Sequence, residues 1–323
     1  MSGTYGSATG SSGPAQSGPT QSEPTPRGLP KGLLVVGDVV TDVVARHRAP
    51  LAHGTDTAAA IRLVPGGAGA NVACWAARWG CADVTLFGRV GAESAAWHEE
   101  ALRTAGVRPR LVVDEEAATG TVICLVDAAA ERTFLTDSGA VLRLSEGDWS
   151  PDLLDGVARL HLSGYLFFAE ESRATARLAL AAARARGVPV SVDPASAGFL
   201  AQLGVDRFLE AVEGAEVLLP NRDEAALLTG LPDPADAAAK LADRFPLVVV
   251  TAGPDGALVA ATGAAPVRVP GVPSVARDST GAGDAFTGAF LASRLAGAGA
   301  VDAAAQGCRA GARAVRQTGG RPV

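Results

Sequence analysis

Short, continuous runs of apolar residues alternate along this chain with longer stretches that are rich in alanine. The first run, Leu33 to Val36, ends at Gly37. Six further runs share this character, at 84–88, 121–126, 159–164, 188–193, 215–220 and 246–253. Strands that are apolar at every position, instead of every second one, are typical of a parallel sheet that is covered on both faces.

The stretches between most of these runs show helical spacing of their apolar residues. They cover residues 70–80, 92–106, 172–187 and 223–230. A strand followed by a helix, repeated along the chain, is typical of the α/β fold class. We therefore predict one α/β domain over 30–323, in three α/β/α layers, with a mostly parallel central sheet.

Three segments do not follow this alternation. Residues 1–29 are Ser, Gly, Thr, Pro and Gln with almost nothing apolar, which predicts a disordered N-terminal tail. Two other segments, approximately 43–64 and 107–135, are short, polar and β-prone. They predict a small accessory sheet that acts as a lid on the larger domain.

Composition and charge exclude several classes of partner. The chain has 323 residues, a net charge of −6 and a pI of about 5.3, which argues against nucleic acid or an anionic membrane as a partner. No apolar run reaches the length of a membrane span, and the N-terminus lacks the basic and apolar regions of a secretory signal. We expect a cytoplasmic protein.

Cysteine, histidine and lysine offer little chemistry. The four cysteines form no CxxC pair and are expected to be buried, reduced thiols, and the four histidines show no metal-ligand spacing. The only two lysines, Lys31 and Lys240, lie outside any GxxxxGK[ST] pattern, which excludes a P-loop.

The sequence DSTGAGDAF, at 278–286, combines small residues with a carboxylate at the start of a predicted apolar helix. Gly281, Ala282 and Gly283 allow a close backbone approach, and a helix N-terminus attracts an anion such as a phosphate. Asp284 follows directly and could take a proton from an attacking hydroxyl. The alternative is that Asp284 only caps the helix.

Two earlier motifs carry groups suited to a polyhydroxyl ligand. Gly66 and Gly67 form a turn, and Asn71 follows in the first turn of the next helix, where its amide can both donate and accept. Asp38 and Asp42 follow the first strand, at the strand end where α/β proteins bind ligands. A plain glycine turn and solvated turn acids are the alternatives.

A fourth motif, PNRDEAALLTG at 220–230, follows a buried strand. Asn221 and Glu224 are three residues apart at a predicted helix start. They could bind phosphate oxygens or metal-bound water, and the alternative is a helix cap led by Asn221.

In this order and spacing, the motifs resemble the PfkB, or ribokinase-like, family of carbohydrate kinases. The GGAGANVA block and the DSTGAGDAF block carry the resemblance, with NRDE between them, and it covers residues 33–320. The resemblance implies a ribokinase-like fold and the transfer of phosphate from ATP, with Mg²⁺, to a hydroxyl. That hydroxyl is usually a primary CH₂OH of a sugar or nucleoside.

The resemblance also implies roles for individual residues. Asp284 matches the catalytic base. The residues that match the anion hole are Gly281, Ala282 and Gly283, and those that match the acceptor site are Asp42, Gly66, Gly67 and Asn71.

Further matches concern the nucleotide and its cations. Asn221 and Glu224 match an NxxE motif that is linked to magnesium and phosphate. Asp278 and Thr280 resemble positions that contribute oxygens to a monovalent cation such as K⁺. The residues that resemble the nucleotide-binding strand and turn are Thr251, Gly253 and Gly256.

Departures from known subgroups leave the acceptor open. Ala68 stands where ribokinases commonly have Lys, Val40 stands where they often have Asn, and VDPASAG at 192–198 lacks the DxNxR form of many fructokinases. A sugar is the first expectation, and a nucleoside such as adenosine or pseudouridine is the alternative. A nucleoside would need an aromatic shelf, for which the candidates are Tyr165, Phe167 and Phe168.

Two further expectations concern partners and activity. A non-catalytic sugar-binding regulator is a third possibility, which the presence of Asp284 and both anion-hole glycines disfavours. The expected partners are the small-molecule acceptor and a second copy of the chain in a homodimer.

Overall fold

A computed structural model describes residues 1–6, 31–128 and 132–322 of the chain. Residues 7–29 of the predicted N-terminal tail lie outside the described residues. The strands are, in chain order, β1 (Gly32–Val36), β2 (Val40–His47), β3 (Ala59–Gly66), β4 (Val84–Gly91), β5 (Arg108–Asp114), β6 (Thr119–Val126), β7 (Arg132–Gly139), β8 (Val157–Ser163), β9 (Val190–Asp193), β10 (Val217–Leu218), β11 (Leu247–Thr251), β12 (Ala257–Ala261) and β13 (Val267–Val269).

Nine of these strands form the central sheet, in the order β13-β12-β11-β10-β9-β8-β1-β4-β5. The strands from β11 to β5 are parallel, and β12 pairs antiparallel with both of its neighbours. The prediction of a mostly parallel sheet is therefore confirmed. Because the strands are parallel, their carboxyl ends meet at one edge of the sheet.

Helices cover both faces of this sheet. They are α1 (Ala68–Arg78), α2 (Ala95–Thr104), α3 (Glu170–Ala185), α4 (Ala197–Leu203), α5 (Val205–Ala211), α6 (Arg222–Thr229), α7 (Pro234–Ala242), α8 (Ala282–Leu295) and α9 (Ala300–Ala314). Alternate residues of β1 belong to different cores: Leu34 and Val36 pack on the side of α3 to α7, and Leu33 and Val35 on the side of α1, α2, α8 and α9. This arrangement gives the predicted three layers.

The other four strands form a small separate sheet, β3-β2-β6-β7, which we call the lid. The prediction that all of 107–135 belongs to the lid is wrong in its first part. Strand β5 pairs in parallel with β4 along its whole length and ends the central sheet. Its alternating polar residues reflect an edge position, where one side of the strand meets solvent.

Two expectations from composition can be compared with the structure. All four cysteine side chains are buried and none is in a disulfide, as predicted. Among the described residues no helix is both long enough and apolar enough to cross a bilayer.

Candidate functional site

A cavity of about 680 Å³ lies between the lid and the carboxyl ends of the central strands. Most of the residues predicted to act in the site line it. They are Asp42, Gly67, Asn71, Asn221, Glu224, Thr251, Asp278, Thr280, Gly281, Gly283 and Asp284. Gly66 and Ala282 are each next in sequence to a lining residue. Because Asp42 and Asp284 both line the cavity, residues more than 200 positions apart in the chain meet at one site.

Asp284 lies in the first turn of α8 and is hydrogen-bonded to Asn71, which lies in the first turn of α1. The Nδ2 of Asn71 donates to the Oδ2 of Asp284 at 2.7 Å. Burial raises the pKa of Asp284 well above its usual value, the Asn71 hydrogen bond opposes this, and Asp193, Asp38 and Asp42 add to it. A carboxylate with a raised pKa in a cavity is a candidate proton acceptor.

The residues before Asp284 build a helix start that is open to the cavity. Gly281 has φ 72°, and a Cβ there would meet the backbone of Gly320. A Cβ on Gly283 would meet nothing within 4 Å. The amide of Ala282 donates to the carbonyl of Ser279 at 3.3 Å. The first amides of an α-helix have no partner within the helix itself, and such amides can bind an anion.

Asp38 and Asp42, which the sequence treats alike, differ in the structure. Asp38 is buried and its carboxylate accepts from the amides of Ala68 (2.6 Å) and Gly69 (3.0 Å) and from the hydroxyl of Ser163 (2.6 Å). It therefore fixes the start of α1 against the central sheet. The solvated-turn interpretation is wrong for Asp38, which is buried, binds the first amides of α1 and also lines the cavity.

Asp42 lies on the inner face of the lid and lines the cavity. Its carboxylate packs against Gly66, where any Cβ would clash with it. Burial raises the pKa of Asp42 to about 7, helped by Asp38 and opposed by Arg321. The adjacent Gly67 has φ 100°, a backbone conformation that few residues other than glycine adopt.

Asn221 and Glu224 form a complete capping box at the start of α6. The Asn221 side chain accepts from the amide of Glu224 at 2.9 Å, and the Glu224 carboxylate accepts from the amide of Asn221 at 2.8 Å. The capping alternative is thus correct as a description of local structure. Both residues also line the cavity, and burial together with Asp193 raises the pKa of Glu224.

The nucleotide-site candidates divide into two groups. Thr251, at the end of β11, is bridged to Asn221 and lines the cavity. Gly253 and Gly256 lie in the next turn, with φ 57° and 93°. A Cβ on Gly256 would clash with the backbone of Val269 and Gly271, so this glycine is required for the β11–β12 turn itself.

Asp193 is a site residue that the sequence did not reveal. It ends β9, lines the cavity, and accepts from the Ala195 amide at 2.9 Å and from the Thr287 hydroxyl at 3.3 Å. Burial raises its pKa. Ala195 has φ 75°, which is strained for a residue with a Cβ. An aspartate that ends a buried strand was the one available signal.

Asp278 and Thr280 lie together beside the helix start. One oxygen of Asp278 accepts from the Thr280 amide at 2.9 Å and the other from the Gly319 amide at 3.2 Å. Arg46 of the lid approaches the second oxygen at 3.8 Å. The Gly319 contact brings the C-terminal segment of the described chain against this aspartate.

The far end of the cavity has an aromatic wall. Of the three predicted candidates, Tyr165 lines the cavity, whereas Phe167 is buried in the core and Phe168 stacks behind Phe199 at 5.0 Å between ring centroids. Phe199 and the lid residue Phe134 complete the wall. Neither could be placed from the sequence, because both depend on how distant segments pack.

The donor set suits a hard cation that is shared with phosphate. No cluster of three metal-binding side chains occurs among the described residues. The cavity does hold Asp193 and Glu224. Burial raises the pKa of both carboxyl groups, Asp38 adds to the effect at Asp193, and Asp193 adds to it at Glu224. Mg²⁺ typically takes one or two carboxylates and completes its shell with water and substrate phosphates, which this pair allows.

The chain is similar to known proteins over most of its length. The sequence model "pfkB family carbohydrate kinase" matches residues 31–323. A fructokinase of Klebsiella pneumoniae is 33% identical over 268 residues, covering 80% of this chain and 82% of that protein.

Two solved structures share the fold. An adenosine kinase from Sinorhizobium meliloti gives a TM-score of 0.82 at 22% identity, covering 90% of this chain and 96% of the other. A putative ribokinase II from E. coli, in complex with ATP and Mg²⁺, gives 0.79 at 23% identity, covering 90% and 94%.

Proposed function

We propose that this chain, which belongs to the pfkB family of carbohydrate kinases, transfers the γ-phosphoryl group of ATP to a hydroxyl of a sugar. Membership makes the protein an ATP-dependent carbohydrate kinase. The observation that carries the finer proposal is the hydrogen bond from Asn71 to Asp284 at an open helix start that faces the cavity.

Asp284 is the proposed general base. One of its oxygens is occupied by Asn71, which leaves the other to take the proton of the acceptor hydroxyl. Burial raises the pKa of Asp284, and a carboxylate with a raised pKa is a stronger base than an exposed one. The helix start formed by Gly281, Ala282 and Gly283 is the proposed anion hole for the transferring group.

The acceptor is proposed to bind between Asp42 and Asn71, with Gly66 and Gly67 allowing close backbone approach. An ionised carboxylate can only accept hydrogen bonds, so it can bind the hydroxyl groups of a polyhydroxyl ligand. A primary CH₂OH projects from a sugar ring, so it can reach Asp284 while the ring stays on Asp42.

The nucleotide is proposed to lie along the ends of β10 and β11. Asn221, Glu224 and Thr251 face its phosphates, and Gly253 and Gly256 shape the turn beside it. Glu224 is the proposed protein contact to Mg²⁺, through water; bound Mg²⁺ would neutralise phosphate charge. Asp278 and Thr280 are the proposed oxygen donors to a monovalent cation such as K⁺.

A nucleoside acceptor is the second candidate, and the aromatic wall favours it. Tyr165 and Phe199 on one side and Phe134 on the lid could enclose a flat base. Several other residues that line this end are apolar, including Val44 and Val122. An apolar lining suits a nucleoside base better than the hydroxyl groups of a second sugar ring.

The lid supplies a further proposal, that two copies of the chain associate through its outer face. Leu63, Val43, Ile123 and Leu135 are neighbours across the four strands. Leu63 and Leu135 are 66% and 54% exposed. A continuous apolar row of this kind is typical of a protein–protein contact.

An ADP-release screen against neutral sugars and nucleosides tests the proposed function. We expect one acceptor class to stimulate ADP release, and Asp284→Asn to lower kcat by about 10²–10⁴-fold with little change in ATP binding. Asp302→Asn is the matched control, because Asp302 also lies in the first turn of a helix but is exposed.

Two results would contradict the proposal. If both aspartate variants keep near wild-type kcat, Asp284 is a helix-start acid and not a base. If no acceptor stimulates ADP release by the wild-type protein, the non-catalytic binding protein replaces the kinase.

A further inference from the structure

We propose that Arg321 positions the acceptor-binding carboxylate: it holds the carbonyl of Gly66, against which Asp42 lies, and supplies the positive charge that this carboxylate faces. The inference rests on the acceptor role proposed for Asp42. It concerns a residue close to the end of the sequence, outside every motif described above.

The contacts of Arg321 lead directly to Asp42. Its Nη2 donates to the Gly66 carbonyl at 3.1 Å, across 255 positions of the chain. The Asp42 carboxylate in turn packs directly against the Cα of Gly66, and a Cβ on Gly66 would clash with it. Arg321 therefore fixes the residue that sets the position of Asp42, at the end of β3 where the lid joins α1.

The rest of the guanidinium is buried without a counter-ion in contact. Its Nε and Nη1 are inaccessible to solvent and have no hydrogen-bond partner, and no carboxylate of the described residues lies within ion-pair distance. A guanidinium stays charged even where burial lowers its pKa, as it does here. A buried charge of this kind is costly unless an opposite charge compensates it. The guanidinium faces Asp42 and Cys74, and since burial raises the pKa of the Cys74 thiol, Asp42 is the group of the two that can carry the compensating charge.

Asp42 faces more negative than positive charge. Asp38 and Asp278 both raise its pKa, in addition to the larger effect of burial, and Arg321 is the group that lowers it. His98, which packs behind the same strand through Thr41, adds no charge, since burial and Arg321 lower its pKa to about 4. Arg46 lies against Asp278 at 3.8 Å and partly offsets that carboxylate.

The balance of negative and positive charge around Asp42 sets its pKa, and the pKa decides whether Asp42 is ionised and can bind hydroxyls at neutral pH. With a pKa of about 7, Asp42 changes between its neutral and ionised forms near neutral pH. Removal of Arg321 leaves burial, Asp38 and Asp278 unopposed. The protonated form then dominates, and it has lost part of its capacity to accept hydrogen bonds from an acceptor.

The test is a ¹³C-carboxyl NMR titration of aspartate-labelled protein, with Asp42→Asn to assign the resonance. In Arg321→Gln we expect the Asp42 midpoint to rise by about one pH unit. The acceptor KM should then rise about fivefold at pH 7 and return toward the wild-type value by about pH 9. The KM for ATP should not change.

Two variants serve as controls. Arg321→Lys keeps the positive charge and should keep the Asp42 midpoint near the wild-type value. This variant still tests the inference if Arg321→Gln folds poorly. Arg294→Gln removes a matched arginine, which also donates to a backbone carbonyl (Ala298, 2.8 Å) and also has a buried, unpartnered Nε. It should leave the Asp42 midpoint unchanged.

An unchanged Asp42 midpoint in Arg321→Gln, or a midpoint in Arg321→Lys that is raised as far as in the Gln variant, overturns the inference. The titration needs no acceptor, so it decides the role of Arg321 even if the wild-type protein phosphorylates nothing. Failure of the kinase proposal and failure of this inference therefore give different results.

Discussion

At the residue scale, Gly281 and Gly283 are two glycines of one motif with opposite surroundings. Gly281 needs a positive φ and touches the backbone of Gly320, whereas Gly283 faces open space. The first glycine is therefore required by the fold. The second leaves room in the cavity.

This contrast predicts different outcomes for the two alanine variants. Gly281→Ala should lower the free energy of unfolding by about 2 kcal/mol or more, from a left-handed backbone and a clash. Gly283→Ala should be neutral or stabilise by up to about 1 kcal/mol. It should still lower kcat, because its methyl group would occupy space proposed for the phosphoryl group. Urea unfolding and steady-state kinetics on both proteins measure these effects.

If Gly283→Ala retains full kcat, the anion hole does not lie at this helix start. If Gly281→Ala is as stable as the wild-type protein, the close packing of Gly320 on Gly281 is not present in solution.

At the element scale, the start of α6 has two possible functions in one pair of residues. The capping box of Asn221 and Glu224 stabilises the helix, and the same Glu224 faces the cavity. A glutamine at the third position preserves a capping box, since its amide oxygen can also accept from the backbone.

Glu224→Gln is therefore expected to leave the free energy of unfolding nearly unchanged and to raise the Mg²⁺ concentration needed for half-maximal activity. Asn221→Ala, which removes the cap, should lower the free energy of unfolding by about 1 kcal/mol. Thermal unfolding and a Mg²⁺ titration of kinase activity separate the two effects. A Mg²⁺ requirement that Glu224→Gln does not alter would leave the cap as the only function of this glutamate.

Elements of this kind were predictable when their signals were local. The apolar run 33–36 and the NRDE helix start appear in the structure at β1 and α6. The boundary of the lid was not predictable from the sequence, because β5 pairs with β4 and this pairing depends on how the whole central sheet assembles. The sites of Asp193, Phe199 and Arg321 were missed for the same reason: their partners are far away in sequence.

At the scale of the whole molecule, the lid has two chemically distinct faces. Its inner face carries Asp42 toward the cavity, and its outer face carries the apolar row of Leu63, Ile123 and Leu135. The two sets of side chains separate in this way because neighbouring residues of a strand point to opposite faces of the sheet.

Burial of the outer face between two copies predicts a dimer that one charge can separate. Leu63→Glu should reduce the mass in solution to that of one chain, as measured by light scattering at several concentrations. Val301→Glu, on α9, is the control for an exposed valine far from the lid, and it should keep the wild-type mass. A wild-type protein that is monomeric at tens of micromolar would contradict the proposed association.

The contact of Arg321 and Gly320 with Gly66, Asn71 and Gly281 has a consequence for protein synthesis. Residues 38–66 leave the ribosome early, yet the site they help to form needs residues 319–321. Contacts of such long sequence range form late in folding, after the loops between them have closed. Nascent chains that lack residues 319–321 can build most of the sheet, but the proposed acceptor and phosphoryl sites remain unjoined, so activity should begin only after these three residues have left the ribosome.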